Sequence, residues 1–405
     1  MSSEPQAETG PEPEERPRLA WVEIGGWPGL GGNVGFDVGE RVTVLVGKNG
    51  AGKSLIMEGL NAAAHRVIFG ADFVPSPKSF RCRVMRAAQP SITYEFEVDE
   101  DDYNNNDELE IVKIPSRRLI WSERCRIEGR QEDEWTVNNA QLTLHGRTPR
   151  EFAPNEGLVV NALVEKRIIS GMPIEAKQLA EIFSKLGFVS AGIPRGSESR
   201  HEILLRRIGR GGRHRWEPVV NPENPTSVLA LNIFLMKLYW HSESTYVYDE
   251  FVELLQQLGV VREVTIHRYD EQTQGNDSYA AVHFDGVNIG FCSDGTQRIA
   301  QIIAQLLSPR VRCLLIEEPE TAVHPSLLAR LLAILDSYSH DRQIIIATHS
   351  PQIVDWCPPQ DLRLVERIEG QTHVRKLDER ELGRVYNYLA HDGTLSDFVY
   401  GQSTE

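Results

Sequence analysis

The chain has 405 residues, of which 40% are apolar and 25% are charged, and its formal net charge is −15. These values are typical of folded globular proteins, and the length allows two or three domains or one core with a large insertion. The acidic balance argues against a general nucleic-acid coat protein, although it is compatible with a local basic patch.

The cysteines and the apolar runs indicate the cellular environment in which the protein is expected to work. The five cysteines are far apart and lack the spacing of metal ligands, which predicts a reducing, cytoplasmic environment without a disulfide framework or a zinc site. The N-terminus has no cationic start followed by an apolar run, so no signal peptide is predicted. The longest apolar patch, residues 228–236, is too short to span a bilayer, and no membrane partner is expected.

The N-terminal segment predicts a tail followed by strands. Residues 1–18 are rich in proline and glutamate and have little to bury, which predicts a disordered acidic tail. Residues 19–24 alternate as a half-buried strand does, and residues 35–38 predict a second, shorter strand. Residues 42–46, VTVLV, predict a strand that is buried on both faces of a parallel sheet.

Residues 47–54, GKNGAGKS, match the phosphate-loop pattern G-x-x-x-x-G-K-[ST] without a gap. The pattern lies between the buried strand and residues 55–64, which are predicted to be helical, and this context indicates a phosphate site. Glycines let the loop point its N–H groups at phosphate oxygens, Lys53 reaches the β and γ phosphates, and Ser54 supplies a hydroxyl to Mg²⁺. The predicted nucleotide-binding residues of the loop are Gly47, Lys48, Asn49, Gly50, Ala51, Gly52, Lys53 and Ser54.

The next part of the chain is predicted to be rich in strands. The predicted strands are residues 79–85, 91–98, 109–114, 118–121 and 134–137. The acidic run at residues 99–108 is interpreted as a solvated hairpin tip, with a cation site as the alternative.

Residues 158–258 are predicted to be mainly helical. The candidate helices are residues 158–169, 173–186, 202–208 and 227–257. The segment from Arg195 to Arg215 carries seven arginines and two histidines in an otherwise acidic chain. It could bind a nucleic-acid backbone or an acidic partner, or it could be a loop that only improves solubility.

The C-terminal third brings together three further short motifs. Strands are predicted at residues 263–269, 279–284 and 287–291, before the turn 293–297, SDGTQ, and a helix at 299–307. Residues 313–317 predict a buried strand that ends in two carboxylates, of which Glu317 is expected near Mg²⁺ and Glu318 beside the attacking water. A helix is predicted at residues 325–338 and another buried strand at 343–347. His349, just after that strand, is a candidate sensor of the γ-phosphate.

In this order, the phosphate loop, residues 293–297, residues 317–320 and His349 resemble the Walker A, signature, Walker B and switch-histidine elements of ABC-type ATPases. Residues 317–325, EEPETAVHP, are similar to the E-E-P-E-x-x-L-H-P pattern of OLD and AAA15/AAA21-like ATPases, with Val323 in place of leucine. These ATPases are relatives of RecF, Rad50 and the SMC heads and often belong to bacterial anti-phage or toxin systems. Glu317 replaces the aspartate usual in transporter subunits, which disfavours transport.

The resemblance implies an α/β fold: an ABC-ATPase core with a mixed sheet, an antiparallel β subdomain and a mainly helical insertion. The expected divisions are a tail at 1–18, an N-terminal lobe at 19–150, the insertion at 151–260 and a C-terminal lobe at 261–405. A strand hairpin at 362–376 and a helix at 379–390 are expected near the end of the last lobe.

The resemblance also implies a set of roles. ATP and Mg²⁺ are the expected cofactors, and Gln89 is a candidate for the Q-loop glutamine. In a head-to-tail homodimer or higher homo-oligomer, the signature turn of one subunit would complete the site of another. The implied signature residues are Ser293, Gly295 and Gln297; the implied catalytic residues are Lys53, Glu318 and His349; the implied metal ligands are Ser54 and Glu317.

Three functions fit these motifs. The first hypothesis is an ATPase that gates a separate effector, a nuclease or toxin, in anti-phage defence; the residues after His349 are too few for the TOPRIM nuclease that OLD proteins carry there. The alternative is a RecF-like DNA-repair ATPase whose DNA binding depends on ATP and uses the arginines between Arg195 and Arg215. A transporter subunit would need a separate permease, because this chain has no predicted membrane segment.

Overall fold

The computed structural model describes residues 16–69, 77–87, 89–99, 120–138, 141–144, 150–151, 160, 174–190, 203–208, 215–218, 245–270, 277–309, 311–391 and 393–401. The strands are β1 Arg18–Gly25, β2 Val34–Asp37, β3 Val42–Val46, β4 Ser79–Arg86, β5 Gln89–Asp99, β6 Ile120–Ile127, β7 Trp135–Asn138, β8 Gln141–Leu144, β9 Arg150–Glu151, β10 Leu186–Val189, β11 Ile203–Ile208, β12 Arg215–Pro218, β13 Val264–Asp270, β14 Asp277–Phe284, β15 Val287–Asn288, β16 Cys313–Glu317, β17 Gln343–Thr348, β18 Leu362–Ile368 and β19 Gln371–Arg375. The helices are α1 Lys53–Phe69, α2 Ile174–Ser184, α3 Thr245–Leu258, α4 Asp294–Leu307, α5 Pro325–Tyr338, α6 Pro351–Trp356, α7 Glu379–Leu389 and α8 Leu395–Gly401.

The central sheet has the strand order β10, β16, β17, β3, β18, β19. The first five strands run parallel to their neighbours, and β19 pairs antiparallel with β18 as a hairpin. Every residue of β3, β16 and β17 is buried, as their continuous apolar sequences predict for strands covered on both faces. Parallel strands end at the same edge of a sheet, so the segments that follow β3, β16 and β17 lie side by side.

A second, antiparallel sheet has the order β2, β1, β4, β5, β6, β7, β8, β9. Its strands alternate between buried and exposed residues, as β4 shows, because one face packs inward and the other meets solvent. Helix α1 packs against β1 of this sheet, against β10 and β17 of the central sheet, and against α2. The phosphate loop at the start of α1 is therefore held between two sheets.

A third sheet has the order β12, β11, β14, β13, and β15 pairs with β14. Its buried residues share one apolar cluster with α3, α4, α5 and one face of the central sheet. The turn at residues 293–297, at the start of α4, is therefore supported by this packed cluster. The mixed central sheet and the antiparallel subdomain confirm the predicted α/β fold class.

The structure corrects two predicted elements and adds one strand. Residues 202–208, predicted to be helical, form strand β11, because the segment pairs antiparallel with both β12 and β14. The strand predicted at residues 287–291 ends at Asn288, whose side chain accepts a hydrogen bond from the N–H of Gly290 and starts a 3₁₀ turn over Ile289–Phe291. Strand β10 was not predicted; it lies in the expected helical insertion but pairs with β16 in the central sheet.

Several other segments differ from prediction or fall outside the described residues. Strand β6 continues to Ile127, well beyond the predicted end, and β8, β9 and α8 were not predicted. The predicted strand 109–114, most of the helix 158–169, the acidic run from residue 100 and residues 1–15 lie outside the described part of the chain. Of the seven arginines between Arg195 and Arg215, only Arg206, Arg207 and Arg215 lie within it, on β11 and β12. The four expected domain divisions stay a prediction.

Candidate nucleotide site

Three segments meet at the carboxyl edge of the central sheet. Strand β17 lies between β3 and β16, so that Ala347 pairs with Leu45 on one side and with Glu317 on the other. Neighbouring strands are about 4.8 Å apart, which places Glu317 about 10 Å from the strand that leads into the phosphate loop. The phosphate loop and the Glu317 strand, far apart in the sequence, thus reach the same edge.

The β18–β19 hairpin braces the phosphate loop at two glycines. A Cβ atom on Gly47 would lie 2.1 Å from the carbonyl oxygen of Val365, and one on Gly52 would lie 2.4 Å from Thr372 Oγ1. Gly52 also has a φ of +106°, which only glycine adopts without strain. Thr372 Oγ1 donates to the carbonyl oxygen of Ala51 over 3.1 Å. The loop is therefore rigid on this side, while Lys48, Asn49 and Gly50 are exposed at its outer rim.

Lys53 is the first residue of α1 and is only 6% exposed. Its Nζ donates to the carbonyl oxygens of Gly47, over 2.8 Å, and of Lys48, over 3.1 Å. Burial lowers the pKa of Lys53, and the nearby carboxylates of Glu318 and Glu320 oppose this shift. The ammonium group thus lies at the loop, within the electrostatic field of the carboxylates that follow β16.

Glu317 is the buried last residue of β16, and Glu318 begins the turn that follows. Glu318 has a φ of +42°, and its N–H donates to the carbonyl oxygen of Ala347 on β17 over 2.7 Å. A left-handed backbone at a non-glycine residue costs on the order of 1–3 kcal/mol and is frequent where a site must aim a side chain. Glu318 Oε1 lies 3.4 Å from Nδ1 of His349, and both side chains are partly open to solvent. The turn presents a carboxylate and an imidazole together at the rim.

Glu320 connects this turn to the end of β17. Its Oε1 accepts hydrogen bonds from Thr348 Oγ1, over 2.6 Å, and from the N–H of His349, over 3.1 Å. Its Oε2 is buried and has no hydrogen-bond partner among the described residues. The predicted site did not include Glu320, although its place as the third acid after a buried strand was a usable signal. Its geometry fixes the backbone that carries His349.

The signature turn is packed on the segment that follows Glu320. Ser293 caps α4, since its Oγ accepts from the N–H of Thr296 over 3.2 Å. A Cβ on Gly295 would lie 2.2 Å from the carbonyl oxygen of Ala322, so only glycine fits at this contact. Gln297 is 5% exposed, and its Nε2 donates to the carbonyl oxygens of Cys292 and Gly290 within its own chain. The predicted nucleotide contacts of these residues belong to a dimer and stay a prediction.

Two charged residues near the site were not predicted. Arg298 on α4 is 1% exposed, and none of its three side-chain nitrogens has a hydrogen-bond partner in the described part of the chain. Burial lowers the pKa of Arg298 to about 10, while Glu317, Glu320 and Glu318 oppose the shift. The three glutamates are far from Arg298 in the sequence, so the sequence alone did not indicate that they act on its charge.

Glu58 adds a further carboxylate. It lies four residues after Ser54 on α1, and therefore on the same face of the helix. Burial raises the pKa of Glu58, and the neighbouring charge of Glu317 raises it further. Glu58 and Glu317 thus approach the predicted magnesium position from two different elements.

The predicted magnesium ligands match the chemistry of that ion. Mg²⁺ takes hard oxygen donors and is usually held by one or two protein groups together with phosphate oxygens. Ser54 is exposed at the start of α1 and offers a hydroxyl, and Glu317 offers a carboxylate at the same edge of the sheet. Among the described residues, no cluster of three or more histidine, cysteine or acidic side chains forms an all-protein metal cage. Gln89, the candidate Q-loop residue, lies at the exposed start of β5 opposite Arg86.

One known family matches part of this chain. Residues 162–355, just under half of the chain, match the model of the AAA_21 family, described as "AAA domain, putative AbiEii toxin, Type IV TA system". The matched residues include the signature turn, Glu317, Glu318 and His349 but not the phosphate loop, and the match supports the predicted resemblance to ABC-type ATPases. A comparison with curated proteins gives no significant match.

Solved structures of SMC heads are similar to the chain over most of its length. An SMC head bound to the C-winged helix domain of ScpA is 13% identical, with 91% of this chain and 99% of that chain covered and a TM-score of 0.45. The SMC head domain from Thermotoga maritima is 13% identical, with 89% and 99% covered and a TM-score of 0.37. An SMC head from Pyrococcus furiosus, bound to the C-terminal domain of ScpA, is 12% identical, with 92% and 100% covered and a TM-score of 0.43. These likenesses are too remote to carry an inference about this chain.

Helix length and hydropathy were also compared with the needs of a membrane span. None of the helices in the described ranges is both long enough and apolar enough to cross a bilayer.

Proposed function

We propose that the chain binds and hydrolyses ATP with Mg²⁺ at the carboxyl edge of the central sheet. The observation that carries the proposal is the meeting of the phosphate loop, the Glu317–Glu318 turn and His349 on neighbouring strands. The similarity of residues 162–355 to the AAA_21 family supports the same chemistry.

Each residue has a distinct part in this proposal. The N–H groups at the start of α1 and the ammonium of Lys53 hold the phosphates. Mg²⁺, held by Ser54 and Glu317, would offset the charge that develops on the phosphates. Glu318 orients the attacking water and receives its proton, at a position where Lys53 and His349 are its neighbours. Glu320 keeps His349 in place through the hydrogen bond to its N–H.

Turnover is coupled to association of two chains in head-to-tail order. Ser293 and the N–H groups around Gly295, at the start of α4, complete the phosphate site of the neighbouring copy. Hydrolysis removes the charge that bridges the copies and loosens the dimer. The dimer gates a separate effector, a nuclease or toxin, in anti-phage defence; the toxin-system description of the matching family supports this role.

Mixing two inactive variants tests the head-to-tail order. Lys53→Ala removes the phosphate loop function of one chain, and Ser293→Arg blocks the signature turn of the other. A mixed dimer then keeps one intact site, so the mixture is expected to recover ATPase activity that neither variant has alone. The double variant Lys53→Ala/Ser293→Arg mixed with Ser293→Arg has no intact site in any dimer and is the control. Activity in the first mixture that is no higher than in this control would contradict a site built from two chains.

The hydrolysis-blocked variant tests the coupling to association. Glu318→Gln is expected to bind ATP and accumulate as a dimer in light scattering, while the exposed-site control Glu366→Gln returns to the ATP-free assembly as turnover proceeds. A Glu318→Gln protein whose mass is the same with and without ATP would remove the basis for gating. Copurification from the native operon then distinguishes the roles: a nuclease or toxin supports gating, and repair proteins support the RecF-like alternative.

A further inference from the structure

A pocket lies at the amino-terminal edge of the central sheet, opposite the nucleotide site. Its floor is Cys313 and Gln343, the first residues of β16 and β17. Glu317, at the far end of β16, is about 13 Å away along the strand. The cavity has a volume of about 20 Å³ and is open to solvent on one side.

Four arginines from three parts of the chain line this pocket, together with two acidic residues. The arginines are Arg16, Arg18, Arg312 and Arg342, and the acidic residues are Glu181 and Asp341. Lys185 already pairs with Glu181 over 2.6 Å, and Asp341 is exposed at the rim. The lining therefore has an excess of positive charge in a chain whose net charge is −15.

Arg18 and Arg342 donate to backbone carbonyl oxygens of residues outside the pocket lining. The Nε atoms of Arg312 and Arg342 are buried, and neither has a hydrogen-bond partner among the described residues. Burial lowers the pKa of Arg312 and the charge of Arg16 lowers it further, while Glu181 and Asp341 oppose the shift. Burial and Arg312 lower the pKa of Arg342, and Asp341 opposes this shift. Like charges held together in a partly buried place favour a bound anion, because it offsets their repulsion and offers them acceptors.

The surrounding contacts fix the pocket in shape. Gln343 Oε1 accepts from the N–H of Leu19 and its Nε2 donates to the carbonyl oxygen of Leu19, each over 2.8 Å, which fastens the start of β1 to β17. Arg342 Nη1 donates to the carbonyl oxygen of Leu306 near the end of α4. Arg18 is the first residue of β1, and Arg16, Arg312 and Arg342 lie just before β1, β16 and β17.

We propose that this arginine pocket is a second anion site that binds a phosphate group. Guanidinium groups match phosphate because their N–H donors form parallel hydrogen bonds to its oxygens, and a tetrahedral group can accept from several arginines at once. At the open mouth of this small pocket a single phosphate group can face several arginines, whereas an acidic peptide needs an extended groove. The site is separate from the ATPase site and does not depend on its function.

Phosphate binding by the full chain tests the proposal. The Lys53→Ala variant is used as background so that the phosphate loop does not contribute, and inorganic phosphate is titrated by calorimetry against chloride at constant ionic strength. We expect one phosphate per chain. Adding Arg312→Gln should weaken binding by at least about tenfold, because it removes a charge-assisted donor. Adding Arg83→Gln, an exposed arginine on β4 outside the pocket, should leave it unchanged.

A second variant keeps the test valid if Arg312→Gln fails to fold. Arg16 precedes the first strand, so Arg16→Gln should fold and should also weaken phosphate binding. Undiminished binding by both variants, or no binding in the Lys53→Ala background, would overturn the proposal. Binding that appears only after residues 1–15 are deleted would also overturn it, because the acidic segment of the chain itself would then be the occupant.

Oligonucleotides distinguish the two sources of a phosphate group. In the same background, a 5′-phosphorylated oligonucleotide that binds more tightly than its 5′-hydroxyl counterpart, with the difference lost in Arg312→Gln, assigns the pocket to nucleic-acid ends. Equal binding of the two, with inorganic phosphate still bound, assigns it to a free phosphate compound. Either result supports the phosphate site.

Discussion

The two edges of the central sheet present side chains of mainly opposite charge. At the carboxyl edge, acidic side chains are matched to neighbours: Glu318 approaches His349, and Glu320 accepts from Thr348 and from the N–H of His349. At the amino edge, arginines gather with buried Nε atoms that have no hydrogen-bond partner in the described residues. One edge therefore presents mainly carboxylates, and the other mainly guanidinium groups.

This difference separates two kinds of site on one sheet. The carboxyl edge combines carboxylates with a lysine and backbone N–H groups, which suits a cation and phosphates bound together. The amino edge offers mainly guanidinium groups, which suits an anion alone. Changes at one edge should therefore leave ligand binding at the other edge unchanged.

The largest expected effect is that of Lys53→Ala. Loss of the ammonium removes the charge nearest to the predicted phosphates, and ATP affinity should fall at least about 100-fold, equivalent to about 2.7 kcal/mol, with turnover lost. Phosphate binding at the arginine pocket should persist. Calorimetry measures the affinity for ATP and the affinity for inorganic phosphate. Lys177→Ala, on the exposed face of α2, is the control. Unchanged hydrolysis by purified Lys53→Ala would remove the phosphate-loop assignment.

Glu320→Gln should produce the next largest effect. The amide can still accept from Thr348 Oγ1, but the charge that supports the hydrogen bond to His349 is lost. We expect kcat to fall about 10-fold to 100-fold, because a hydrogen bond to a charged group contributes about 1.5–3 kcal/mol, with little change in KM. Steady-state kinetics against the surface control Glu366→Gln provide the measurement. A change in KM alone would show that Glu320 acts on ATP binding and not on the switch.

Gly295→Ala tests whether the signature turn packs against the segment that follows Glu320. Its new Cβ would lie 2.2 Å from the carbonyl oxygen of Ala322, so the backbone must move. Overpacking of this kind costs about 1–3 kcal/mol, which should lower the urea midpoint of unfolding. Gly383→Ala on α7 is the matched control, since nothing lies within 4 Å of its Cβ. Equal midpoints for the two variants would mean that the contact is not held in solution.

Glu58→Gln should have the smallest effect, and that effect should depend on pH. Burial and Glu317 raise the pKa of Glu58 in the folded chain, so ionising this carboxyl costs stability above its folded pKa. Without Mg²⁺, the variant should be more stable than wild type at pH 8. The difference should vanish at pH values below the pKa of Glu58 in the unfolded chain, because the protonated Glu58 of the wild type is then as neutral as the glutamine of the variant. Urea unfolding at several pH values, with the exposed Glu253→Gln as control, measures this. A gain that grows on acidification would contradict the assigned cause.

The sequence predicted those parts of the molecule that are contiguous in the chain. Strands β3, β16 and β17 are unbroken apolar runs, and the phosphate loop is one stretch of eight residues, so pattern and structure coincide there. Helix α5 was also predicted with its observed bounds, because Pro325 marks its first turn.

Short or non-local features could not be predicted in the same way. Ile203–Ile208 has too few residues to distinguish a helix from a strand by periodicity, and its pairing with β12 and β14 decides the outcome. Strand β10 has only four residues and is recognised through its partner β16. The proximity of Arg298 to the carboxylates, and of Arg16 to Arg312, arises from tertiary packing alone.

A double-mutant cycle on Ser54 and Glu317 tests the central claim that two remote segments share one magnesium–ATP complex. Ser54→Ala, Glu317→Gln and the double variant are compared by the Mg²⁺ concentration needed for tight ATP binding. Residues that share one ion should be strongly coupled, so the double variant should need little more Mg²⁺ than the worse single variant. Effects that add independently, to within about 0.5 kcal/mol, would contradict a shared metal.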